Sequence, residues 1–124
     1  MRIRIMRAFL QFQNVTFLYD SASEPLFEKI SFQADSGWMG VIGANGAGKT
    51  TLYNIVTGIH RITEGAVWFL GERIDGLKPH VIAEKGIART FQNVELFENM
   101  SVIENVMMGR HVRTRAGVFG GAFR

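Results

Sequence analysis

Residues 43–50 read Gly-Ala-Asn-Gly-Ala-Gly-Lys-Thr, a full match to the spacing G-x-x-x-x-G-K-[ST]. That spacing serves the capture of phosphate. Glycines at 43, 46 and 48 let successive backbone N–H groups turn toward one point, along a path that a Cβ would obstruct. A helix opening near Lys49 places its positive end at the same point. The Lys49 ammonium suits β- and γ-phosphate oxygens as a flexible point charge, and the Thr50 hydroxyl suits a Mg²⁺ ion held between them. Thr51 adds a second hydroxyl near the α-phosphate. With about 7% Gly and ordinary Lys, Ser and Thr usage, such a match arises by chance in about one chain of this length in 250.

A phosphate loop works only between a strand and a helix, and the flanking residues read that way. Trp38–Ile42 (WMGVI) is a continuous apolar run between Gly37 and Gly43, the pattern of a strand buried on both faces. Thr50–Thr57 sets Leu52, Ile55 and Val56 on one helical face, and Gly58 supplies a stop. Upstream, Gln11–Leu18 and Phe27–Phe32 predict two antiparallel strands, separated by a turn over Asp20–Pro25 and closed by a second turn at Asp35–Gly37. Downstream, Ala66–Leu70 predicts a strand, and Pro79 opens a short helix that Gly86 closes. Ile87–Phe91 predicts a further short strand. Ser101 with Glu104 three residues later forms a capping box for a helix ending at Gly109. The pattern dissolves from Arg110 onward into a frayed or partner-dependent tail.

The chain has 124 residues, 47% hydrophobic and 20% charged, with no cysteine. One domain, or a piece of one, fits that length, while disorder and disulfide or thiolate chemistry are excluded. Its longest apolar run is Ala66–Leu70, too short to cross a bilayer, and the basic start MRIRIMRAFL lacks a cleavage site, so the cytoplasm is the expected compartment. The net charge of +3 misleads as a nucleic-acid signal. Arg2, Arg4 and Arg7 at one end and Arg110, Arg113, Arg115 and Arg124 at the other leave 7 basic residues against 11 acidic ones between them, a net of −4. The basic ends read as solvated termini, with a membrane-surface or phosphate contact as the alternative, and no nucleic-acid partner is expected.

The segment GANGAGKTTL, followed by TEGAVWFLGERIDGLKPHVIAEKGIARTFQNVELFENMSVIENVMMGRH, resembles the nucleotide-binding subunit of an ABC transporter. From Tyr53 to about Arg115 it most resembles the ATP-binding subunits of branched-chain amino acid importers. PLFEKISFQADSGWMGVIGANG, before and into the loop, is more similar to soluble ABC-F ATPases, which leaves a chimeric origin open. The resemblance implies an α/β fold: a P-loop NTPase core of the ABC ATPase type with an antiparallel β subdomain, truncated after the Q-loop. It divides the chain into a β subdomain and strand at 1–42, the P-loop and its helix at 43–58, strands and helices to and beyond the Q-loop at 59–109, and a basic tail at 110–124.

By the same resemblance Tyr19 stands where the family stacks an aromatic ring on adenine, and Asn45, Gly46, Ala47, Gly48, Lys49, Thr50 and Thr51 match its phosphate-binding segment. Gln92 matches the Q-loop glutamine, which approaches Mg²⁺ and the attacking water and lies where the family meets its membrane subunit. ATP and Mg²⁺ are the implied cofactors. The implied partners are membrane permease subunits and a second ATP-binding subunit, at the cytoplasmic face of the membrane. Hydrolysis also requires a carboxylate opposite the threonine and a group that positions water. After Thr50 the only Asp is Asp75, which ends no apolar strand. No LSGGQ-like segment follows, and His60, His80 and His111 stand outside the family's switch-histidine context. The expectation is nucleotide binding with little turnover by this chain alone, and marginal stability or association where apolar surface is left uncovered. Competing readings are an ABC-F-like ATPase acting at the ribosome and a non-catalytic phosphate-binding module.

Overall fold

The protein is described by a computed structural model, which covers residues 9–90 and 96–110. Its contacts divide into two compact units, one ending at Ile87 and one beginning at Ala88. The first is built on a four-stranded sheet of order β2-β1-β3-β4, with β1 Leu10–Phe17, β2 Phe27–Ala34, β3 Glu64–Phe69 and β4 Glu72–Arg73. All three pairings are antiparallel. The predicted antiparallel β subdomain is therefore present, with β1 as one of its two inner strands.

Strand β1 carries its apolar residues at 12, 15 and 17, a spacing that breaks strict alternation. Two bulges reconcile it with a one-sided core. An extra residue in β1 shifts the register between Phe12 and Val15, where Asn14 adopts φ 48°, and an extra residue in β2 shifts it back before Phe17, where Lys29 adopts φ 46°. The Asn14 N–H is not orphaned, because it donates to Ser31 Oγ at 2.8 Å. Phe12, Val15 and Phe17 thereby reach one face and join Val67, Phe69, Ile74 and Ile82 in the core. Phe12 stacks on Phe32 with centroids 4.6 Å apart.

Helix α1 spans Lys49–Val56 and lays Ile55 into that core, with Leu52 and Val56 packed against it, as the helical spacing predicts. Helix α2, Pro79–Glu84, starts with proline at its first turn and contributes Ile82. Strand β3 ends one residue before Leu70, which belongs with Gly71 to a two-residue turn; both have positive φ, 50° and 82°, as a hairpin with right-twisted strands requires.

Two predicted strands are not formed. Trp38–Ile42 pairs with no strand of the sheet, and Trp38 and Ile42 stand 106% and 98% exposed. An apolar run becomes a buried strand only where neighbours accept its N–H and C=O groups, and none among the described residues does so. Residues 87–90 likewise take no regular structure, and Phe91 lies outside the described residues.

The hairpin from β3 to β4 is pinned by Asp75. Its carboxylate accepts from the Val67 N–H at 2.9 Å and from Arg73 Nε at 2.9 Å. Burial alone would raise the Asp75 pKa, but the hydrogen bonds from Arg73 and Val67 and the guanidinium charge outweigh it and hold the carboxyl below its ordinary value of 3.8. A depressed native pKa contributes stability that is complete above the unfolded pKa and is lost as pH falls through the native one. Wild type should therefore exceed Asp75→Asn in urea denaturation at pH 7 by about 1 kcal/mol, and the gap should shrink at pH 3. An equal gap at both pH values would show that the charge contributes nothing.

In the second unit, helix α3 spans Val102–Gly109 behind the expected capping box: Ser101 Oγ accepts from the Glu104 N–H at 3.4 Å, and the Ser101 N–H donates to Glu104 Oε2 at 2.7 Å. Hydrogen bonds from Ser101 hold the Glu104 carboxyl below its ordinary pKa. Asn105 ties the preceding turn, accepting from the Phe97 N–H and donating to the Met100 and Ser101 carbonyls. No residue of α3 is buried, and Val102, Ile103, Val106 and Met107 are exposed. The tail at 111–124 and the basic start lie outside the described residues.

Candidate functional site

The loop at 43–48 runs into α1 through Gly48, which caps the helix with φ 93° and ψ 10° and without any side-chain hydrogen bond. The first N–H groups of α1 thus lack a side-chain acceptor, the arrangement that favours an anion. A Cβ at Gly48 would lie 2.8 Å from two ring carbons of Phe27 and 3.1 Å from Leu26 Cδ2. The start of β2 therefore presses on the phosphate loop, and only glycine fits between them. Asn45, Gly46 and Ala47 lie exposed on the loop, and its turn is closed by the Ala47 N–H donating to the Ala44 carbonyl at 3.1 Å.

Lys49 folds over this loop. Its Nζ donates to the carbonyls of Gly43 at 2.5 Å and Ala44 at 2.8 Å. The ammonium is consequently held at the mouth of the loop by weak neutral acceptors, which an anionic phosphate would outcompete. Thr50 is exposed on the first turn, whereas Thr51 is buried at 6% exposure. Thr51 Oγ1 lies 2.6 Å from the hydroxyl of Tyr19, so the two share a hydrogen bond across 32 positions of chain. Tyr19 keeps 38% exposure, with its ring against Phe17 at 4.7 Å and His60 at 5.6 Å.

The structure thus gathers Tyr19, Asn45, Gly46, Ala47, Gly48, Lys49, Thr50 and Thr51 around one end of α1. Gln92 lies outside the described residues. Asp75 is committed to the β3–β4 hairpin and serves no phosphate. Three contributors escaped the sequence reading: His60, and the Leu26–Phe27 pair over Gly48. Contact across a turn carries no periodicity, so no pattern signalled them; His60 was read only as a histidine outside the switch-histidine context.

The uncapped N-terminus of α1 and the Lys49 ammonium at the mouth of the loop suit an anion such as a nucleotide phosphate. For a cation the donor set is thin. Among the described residues no group of three His, Asp or Glu side chains could hold a metal ion. Among the described residues no helix is long and apolar enough to cross a membrane.

The chain is similar to several known proteins. The high-affinity branched-chain amino acid transport ATP-binding protein BraF of Pseudomonas aeruginosa is 45% identical over 84 residues, which are 68% of this chain and 33% of that protein. LivG of Escherichia coli K12, of the same description, is 42% identical over the same shares. The sn-glycerol-3-phosphate import ATP-binding protein UgpC of Escherichia coli K12 is 35% identical over 84% of this chain and 28% of its own length. The chain thus spans about a third of the curated relatives it matches. A solved ATP-binding cassette of an ABC transporter in its ADP conformation superposes with a TM-score of 0.73 at 28% identity, over 94% of this chain and 45% of that one. The ABC transporter family model matches residues 27–120. A phosphate loop pressed against an antiparallel sheet, that structural likeness and a family match across most of the chain lead to one conclusion: the chain belongs to the ABC transporter family.

Proposed function

We propose that this chain is the nucleotide-binding part of an ABC importer of amino acids, in which ATP binding and hydrolysis drive transport through partner membrane subunits. The observation that carries the reading is the end of α1, where an uncapped helix, the Lys49 ammonium and the exposed Thr50 hydroxyl meet within reach of a half-exposed tyrosine. Backbone N–H groups from Asn45 to Thr51 would surround the phosphates, and Lys49 would leave the Gly43 and Ala44 carbonyls for the β and γ oxygens. Thr50, with Gln92, would ligate Mg²⁺, which when bound neutralises phosphate charge. Tyr19 offers its open surface to adenine.

The amino-acid assignment follows the names of BraF and LivG. A membrane subunit would dock against residues 93–100, where Phe97 and Met100 are exposed, placing the protein at the cytoplasmic face. A second ATP-binding subunit would pair with this one. These 124 residues hold no apolar strand ending in an Asp-Glu pair, so turnover by the chain alone should be slow.

Titration of Mg-ATP into the chain by calorimetry, with phosphate release followed in the same samples, tests the reading. Wild type should bind with little release, and Lys49→Ala should weaken binding by about a hundredfold through loss of charge-assisted contacts to phosphate. Absence of binding by wild type, or equal binding by the variant, overturns it.

A further inference from the structure

Tyr19 is gripped from both ends of the phosphate-loop helix. At the first turn of α1, the buried Thr51 hydroxyl meets the Tyr19 hydroxyl at 2.6 Å. Just past the last turn, His60 sets its ring edge-to-face against Tyr19 at 5.6 Å and tilts against Phe17 at 5.4 Å. His60 is itself fixed to the helix, because its N–H and that of Ile59 both donate to the Asn54 carbonyl, at 3.1 and 2.8 Å. The chain leading to Tyr19 is fixed as well, with the Leu18 N–H donating to Thr63 Oγ1 and the Thr63 N–H to the Thr16 carbonyl. A tyrosine two residues beyond the end of a strand would ordinarily sample several rotamers; here its hydroxyl, one ring contact and the backbone just before it are all tied to α1 or its immediate sequel.

We propose that Thr51 and His60 are positioning residues that lock the Tyr19 ring to α1, so that the surface recognising the base and the loop recognising the phosphates move as one unit. This rests on the reading of the site as an ATP site and deepens it. The hydroxyl chemistry permits both duties at once. When Tyr19 donates to Thr51 Oγ1, the Thr51 proton remains free for an anionic acceptor, so a contact to phosphate does not depend on the bond to Tyr19. The consequence is selectivity: removing the Tyr19 hydroxyl or the His60 ring should weaken ligands that carry a base and spare those that are phosphate alone.

The test measures the affinities of Mg-ATP and of Mg-tripolyphosphate, which has the three phosphates and no base, for the full 124-residue chain and for Tyr19→Phe, His60→Ala and His60→Phe. Tyr19→Phe keeps the ring and loses only the hydroxyl. It should weaken ATP by about fivefold, the effect of one net hydrogen bond, and leave tripolyphosphate unchanged. His60→Ala should do the same, and His60→Phe, which restores an edge-to-face ring, should recover ATP affinity. Retained tripolyphosphate binding also shows that each variant folds. An equal loss for both ligands would make the pair a support of the loop alone, and an unchanged ATP affinity in Tyr19→Phe would show that the bond does not set the ring; either result overturns the proposal while the ATP site stands. Failure of wild type to bind ATP and tripolyphosphate removes the site itself, and the proposal with it.

Discussion

Gly48→Ala should cost the protein both its nucleotide affinity and much of its stability. The backbone at Gly48 has φ 93°, where a residue with a Cβ is strained by about 1–3 kcal/mol. The added methyl would also lie 2.8 Å from the Phe27 ring, which packs against the core and cannot withdraw freely. Relieving that overlap costs about 1–3 kcal/mol more. The chain can lower the cost only by pushing the loop away from β2, which tilts the first turn of α1 and spreads the N–H groups that would converge on phosphate. Gly46→Ala is the control, since Gly46 also has positive φ, 83°, but a Cβ there meets nothing within 4 Å. Thermal melts and Mg-ATP titrations of both variants should place Gly46→Ala, which carries the backbone strain alone, a few degrees below wild type and Gly48→Ala far below that, with binding lost. If the two variants melt together, the contact with Phe27 is not what makes position 48 a glycine.

The phosphate loop was the most legible part of this chain, because its glycines, lysine and threonine are local in sequence and each type has a separate physical duty. Helix α1 and the Ser101–Glu104 cap were legible for the same reason: capping and helical periodicity are decided within one or two turns. Strand Trp38–Ile42 was not, since a strand exists by virtue of neighbours, and the sequence of the strand itself says nothing about whether they are present. The bulges at Asn14 and Lys29 were half visible. The spacing of Phe12, Val15 and Phe17 departs from alternation, yet only pairing with β2 and β3 shows that an extra residue, rather than a change of face, absorbs the difference. Contacts such as Tyr19 to Thr51, or Gly48 to Phe27, bring residues together across turns and carry no periodic trace.

The bulge also fixes why position 65 has no side chain. Gly65 lies in β3 opposite the extra residue of β1, and a Cβ there would sit 2.3 Å from the Asn14 carbonyl oxygen and 2.6 Å from that of Gln13. These are backbone atoms, so no rotamer change relieves the overlap, and φ 97° adds strain of its own. Gly65→Ala must therefore separate β1 from β3 at the bulge. Since β1 is one of the two inner strands and carries Phe12, Val15 and Phe17, the separation reaches the core directly. The loss should be about 3–5 kcal/mol, much of the total for a small domain, and the chain should be largely unfolded near 37 °C by far-ultraviolet circular dichroism. Gly76→Ala separates strain from collision, because Gly76 has φ 83° and open space around the added methyl; it should melt only a few degrees below wild type. Coincident melting of the two variants would mean that β1 and β3 yield cheaply at Asn14. The effect should extend to the nucleotide site, because the register restored after Asn14 delivers Phe17 to the core and, two residues on, the Tyr19 ring to Thr51. Any Gly65→Ala protein kept folded at low temperature should then favour tripolyphosphate over ATP more strongly than wild type does.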